Sequence, residues 1–125
     1  MKLGILGSRS ITDDALVLKL VDKYVKELKP SCILMGAAKG PDPAISHYAQ
    51  SHNIDIVRFL PYHLIDVTAN FDSKYFFIRT KQIVNNSDHL LVFWDTLSKG
   101  TQYAIRYAQK IDIPVTVIKV SQSID

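Results

Sequence analysis

The spacing of apolar residues changes period several times along the chain, and each change marks an element. Residues 2–6 are a short, largely apolar run that enters Gly7-Ser8-Arg9-Ser10, which predicts a strand and a polar turn. Leu16, Leu20, Tyr24 and Leu28 then recur every four residues, with Val17, Val21 and Val25 beside them. That is one apolar stripe on a helix, closed by Pro30. Residues 32–35 read as a second strand running into Gly36-Ala-Ala-Lys-Gly-Pro-Asp42. Ala44, Ile45, Tyr48 and Ala49 mark a short helix over 43–52, with Asp42 as its N-cap and Pro43 at its first position.

Residues 54–60 predict a third strand and 62–70 a loop. Tyr75, Phe76, Arg79, Gln82 and Ile83 place a helix over 72–86, broken by Asn85-Asn86-Ser87. The apolar run His89 to Trp94 is a fourth strand. It turns at Asp95, and Thr101 opens a segment with Tyr103, Ala104, Tyr107, Ala108 and Ile111 at helical spacing. Residues 114–120 are a β-branched fifth strand, and 121–125 a frayed tail. Strands alternating with helices imply an α/β fold: a parallel sheet covered on both faces, with right-handed crossovers. Five strands and four helices in this length make a minimal Rossmann-like three-layer sandwich. Ligands of such sheets bind beyond the carboxyl ends of the strands.

Composition narrows the class. At 125 residues, 47% hydrophobic and 22% charged, the chain suits one compact domain over residues 1–125. No apolar run approaches the roughly 20 residues that span a bilayer. The N-terminus has no signal-peptide pattern, and the single cysteine, Cys32, excludes an intrachain disulfide. A reducing cytoplasmic setting is expected. A net charge of +3 permits a phosphate-bearing partner without requiring one. His47, His52, His63 and His89 show no metal spacing, so neither metal nor cofactor is expected.

The candidate chemistry lies in the turns. Of five glycines, Gly7, Gly36, Gly40 and Gly100 fall in the three turns that leave strands one, two and four. Glycine allows close approach to the backbone. Ser8, Arg9, Lys39, Ser98, Lys99 and Thr101 accompany them and all donate to phosphate. The start of the last helix adds unpaired amides and a positive dipole. A simpler account stands beside this one: βα turns need glycine, Ser98 or Thr101 caps a helix, Asp42 caps another, and Asp95 closes a strand. The G-x-G-x-x-G spacing of dinucleotide folds is absent, and Lys99-Gly100-Thr101 reverses the Walker order.

Gly7-Ser8-Arg9, Gly36-x-x-x-Gly40-x-Asp42 and Phe93-Trp94-Asp95-x-x-Ser98-x-Gly100-Thr101 together resemble the SLOG superfamily. That superfamily joins the DprA/Smf DNA-processing proteins to the LOG phosphoribohydrolases. The likeness runs from Lys2 to about Val117 and is closest to the small YspA-like members of bacteria and phages. With the βα alternation it implies the strand order 3-2-1-4-5. It further implies a nucleotide, a nucleotide-derived ligand or nucleic acid at the glycine turns, and a homo-oligomer is expected. Phe77-Ile78-Arg79-Thr80-Lys81 is similar to the LOG arginine–lysine motif, which makes Arg79 the counterpart of its arginine. On its position in the helix alone, a surface ion-pair role for Arg79 stands as the alternative. The glutamate that LOG enzymes place after Gly-Thr is missing, for Gln102, Tyr103 and Ala104 follow instead. Asp95 and Asp42 are the candidate substitutes if the chain hydrolyses an N-glycosidic bond. Without such a base, binding is the expected function.

Overall fold

The computed structural model describes residues 1–8, 10–36, 42–59 and 73–120. Five parallel strands, β1 (Lys2–Gly7), β2 (Cys32–Gly36), β3 (Asp55–Phe59), β4 (His89–Trp94) and β5 (Val115–Lys119), form one sheet in the order β3-β2-β1-β4-β5. This is the α/β Rossmann-like sandwich and the strand order expected. Helices α1 (Asp14–Leu28) and α2 (Asp42–Ser51) pack on each other, as do α3 (Ser73–Asn86) and α4 (Lys99–Lys110).

Strand alternation assigns the two faces. Leu3, Ile5, Ile33, Met35, Leu91 and Phe93 point to the layer that holds Val17, Val21, Ile45 and Ala49. Leu90 and Val92 point the other way, to Val84, Ile105 and Ala108. Both faces of the central strands are buried, which is why β1, β2 and β4 read as continuous apolar runs. The flanking strands β3 and β5 are only partly covered.

Gly4 lies inside β1 for a packing reason. A Cβ there would collide with Ser87 Oγ and stand 2.9 Å from Leu90 Cδ1. Ser87 is itself held by donating its hydroxyl to the carbonyl of Ile83, 2.7 Å away.

Helix ends follow their caps. Asp13, unnoticed in the sequence, accepts from the Leu16 amide at 3.1 Å and starts α1. Lys29 ends it in the left-handed conformation, just before Pro30, with its amide on the Val25 carbonyl. Helix α2 begins at Asp42 rather than at Pro43. Helix α4 begins at Lys99, two residues before the expected Thr101, because Ser98 is the N-cap and accepts from the Thr101 amide. The expected loop over 62–70 and tail over 121–125 lie outside the described residues. Among the described residues no helix is long and apolar enough to cross a membrane.

Candidate functional site at the carboxyl edge of the sheet

Parallel strands bring the ends of β2, β1 and β4 to one edge. Gly7 pairs with Phe93 across β1 and β4, and Gly36 ends β2 on the other side of β1. At one strand spacing per step, the ends of β2 and β4 are about 10 Å apart. The three glycine turns therefore leave from the same edge.

The turn between β4 and α4 is held from within. Asp95 Oδ1 accepts from the Leu97 amide at 2.9 Å and from the Ser98 amide at 2.7 Å. Its Oδ2 accepts from Ser10 Oγ at 2.6 Å. Burial alone would raise the carboxyl pKa. The bonds from Ser10 and from the Ser98 and Leu97 amides outweigh it and hold the pKa below the usual aspartate value. Thr96, β-branched and at φ 69°, makes the tight corner. Leu97, next to it, is 79% exposed.

Beneath this turn lies a chain of hydroxyls. The Asp95 amide donates to Ser8 Oγ at 3.1 Å. Ser8 and Thr101, both buried, meet at 3.2 Å, and Thr101 Oγ1 donates to Ser98 Oγ at 3.0 Å. A hydroxyl has one proton to give. If Thr101 gives its proton to Ser98, Ser8 must donate to Thr101, and Ser98, accepting twice, keeps its own proton for an acceptor beyond the cluster. The remaining donors at the helix start are the first-turn amides of Lys99 and Gly100, which have no partner inside the helix, and the exposed Lys99 ammonium. Trp94, half-buried, donates its indole N–H to the Ser98 carbonyl at 3.1 Å and braces the turn from the other face.

Arg79 is 4% exposed, so it is not a surface ion-pair residue. Its guanidinium lies over Gly36: a Cβ at that position would stand 3.0 Å from Cζ and 3.1 Å from one terminal nitrogen. Gly36 is thus needed for the arginine. Close approach by a ligand, the expectation from the sequence, is a separate demand on the same glycine.

The structure joins Ser8, Asp95, Ser98 and Thr101 in one network and adds Ser10, which the sequence had placed in the turn without assigning it a role. A polar residue next to Gly7-Ser8-Arg9 was the available signal. Gly7 and Gly100 stand at the same edge. Arg9, Lys39 and Gly40 lie outside the described residues, as does the side chain of Asp42.

No curated protein matches the chain. Its fold is similar to that of DNA processing protein A from Helicobacter pylori, from a study of that protein's single-stranded DNA binding mode. The TM-score is 0.71 at 20% identity, over 100% of this chain and 67% of that one. The family model described as YAcAr matches residues 1–63. That is just over half of the sequence, and the chain belongs to the YspA, cpYpsA-related SLOG family.

Proposed function

We propose that the chain binds the phosphate of a nucleotide or nucleotide-derived ligand at the carboxyl edge of its sheet. The observation that carries this is the convergence of two positive features on one edge: the permanently charged Arg79 over Gly36 and the amide start of α4 beside Lys99. In this reading Ser98, Lys99 and Gly100 contact the phosphate. Thr101 and Ser8 act through Ser98 by fixing its orientation. Gly7, Arg9, Lys39, Gly40 and Asp42 are included in this reading on their sequence motifs.

Binding is favoured over hydrolysis by the state of Asp95. A general base needs an available lone pair and a pKa near the working pH. Asp95 has both oxygens engaged and a pKa shifted the wrong way. A second reading, a single-stranded nucleic acid, is supported by the fold likeness to a protein described as binding single-stranded DNA.

Calorimetric titration of the wild type and Gly100→Val against a panel of nucleotides tests the edge site. The variant should fold, since valine is tolerated in a first helical turn, yet its branched side chain obstructs the backbone amides. Loss of binding in the variant is expected, and equal affinities would count against the site. Incubation with nucleoside monophosphates, followed by chromatography of free base, tests the chemistry. Release that disappears in Asp95→Asn with binding retained would make the chain a hydrolase.

A further inference from the structure

The two helical layers carry unlike charge. Helices α1 and α2 contain Asp14, Asp22, Glu27 and Asp42 against Lys19, Lys23 and Lys26. Helices α3 and α4 contain three cations each and neither Asp nor Glu. A mild net charge of +3 for the whole chain therefore conceals one strongly basic layer. Within it Arg79 turns inward over Gly36, whereas Lys81, Lys99, Arg106 and Lys110 are exposed.

Aromatic rings lie between these cations. Phe77 of α3 packs against Tyr103 of α4 with ring centroids 4.6 Å apart. Tyr103 and Tyr107 lie nearly parallel, at 10° and 6.2 Å. The Lys81 ammonium sits 5.6 Å from the Tyr107 centroid, and the Tyr107 hydroxyl donates to Asn85 Oδ1 at 2.7 Å. All three rings are half-buried, so they are anchored in the seam and still meet solvent. On α4 the buried residues are Thr101, Ala104, Ile105 and Ala108. Tyr103, Arg106 and Lys110 therefore fall on the opposite side of the helix by its 3.6-residue period.

We infer that this outer face of α3 and α4 binds single-stranded nucleic acid. Cations match the phosphates and the anchored rings match unpaired bases, the combination that sequence-tolerant strand binding requires. A duplex hides its base faces, and an acidic protein has carboxylates but no bases to stack. A second copy of the chain would set like charge against like across a symmetric contact. This inference rests on the nucleic-acid reading above and is independent of a mononucleotide at the sheet edge.

The test uses fluorescein-labelled oligo-dT, longer than the usual site sizes of about 4–16 nucleotides, and its duplex counterpart, followed by anisotropy. One variant reverses three exposed charges (Lys81→Glu, Arg106→Glu and Lys110→Glu). The other is Tyr103→Leu, which keeps an apolar seam and removes the ring. The wild type should prefer the single strand. Charge reversal should weaken binding more than tenfold and reduce the slope of log K against log salt by about 2, at roughly 0.7 per lost contact. Tyr103→Leu should weaken binding about tenfold with the salt slope unchanged. Unaltered affinity in both variants would overturn the assignment, as would equal affinity for duplex. So would a dimer that charge reversal splits, in sedimentation, without any oligonucleotide binding. Parallel titration with mononucleotides separates the sites. Retained mononucleotide binding in the charge-reversed protein supports two surfaces. Strand binding that depends on this face, with no mononucleotide binding in the wild type, removes only the edge reading.

Discussion

Replacing Asp95 probes the turn from which the proposed phosphate contacts project. Its carboxylate accepts three hydrogen bonds, from Ser10 Oγ and from the Leu97 and Ser98 amides. A bond to a charged group contributes about 1.5–3 kcal/mol when well buried. Here the site is only partly buried and the three bonds share one side chain, so the sum is far from additive. Asp95→Ala is expected to cost about 3 kcal/mol, roughly 10 °C in Tm for a chain of this length. Asp95→Asn keeps an oxygen for the two amides and loses the charge, at about 1 kcal/mol. The pH dependence has a definite sign. The folded-state pKa is depressed, so the stabilisation is complete above the unfolded value of about 3.9 and is lost as pH falls through the folded value. The gap between wild type and Asp95→Ala should therefore be widest near neutrality and narrow below pH about 4. Urea unfolding followed by Trp94 fluorescence reads this directly, since Trp94 is the only tryptophan and is bonded to the same turn. A difference under about 0.5 kcal/mol at neutral pH, within the range of ordinary surface substitutions, would refute the reasoning, as would a gap that does not change in acid.

Two further substitutions test the packing. Gly4→Ala drives a methyl group into Ser87 and Leu90 and should cost about 2 kcal/mol; Gly4→Ala combined with Ser87→Gly should recover part of that loss in a double-mutant cycle, and strict additivity would show that the two sites do not compete for space. Tyr48 donates to Asp22 Oδ1 at 2.7 Å and ties α2 to α1. Burial first, and the Asp22 carboxylate second, push its pKa up to about 12. The folded state thus favours the neutral phenol, and that stabilisation is complete below pH 10 and disappears as pH rises towards 12. Tyr48→Phe should remove a late-ionising phenol from an alkaline absorbance titration and cost about 1 kcal/mol at neutral pH; an unchanged titration would contradict the assignment.

Much of this molecule was legible from local chemistry. Strand β4, His89 to Trp94, agrees residue for residue with its apolar run, because a strand buried on both faces leaves an unbroken hydrophobic signature. The Leu16–Leu28 stripe located α1, since a helix with one face on a core must repeat near every fourth residue. The strand order was predicted by combining βα alternation with the family likeness. The Asx turn at Asp95 is likewise a local device, in which an aspartate at a strand end accepts from the amides two and three residues on.

What the sequence left undecided are relations between distant residues. The start of α4 was misplaced by two residues, because Ser98 and Thr101 are both good caps and only the observed bond distinguishes them. A surface role for Arg79 stood as an alternative, since one charged residue on an amphipathic helix gives no sign of its direction. Gly36, 43 residues earlier, created the space that lets a guanidinium lie buried over β2. Gly4 likewise takes its meaning from Ser87, far along the chain. The Phe77, Tyr103 and Lys81 seam appears in no single segment. Helical period places each residue on its own helix, but the packing of α3 on α4 decides which rings and cations meet. Side-chain volume and direction become determinate only when two elements compete for the same space.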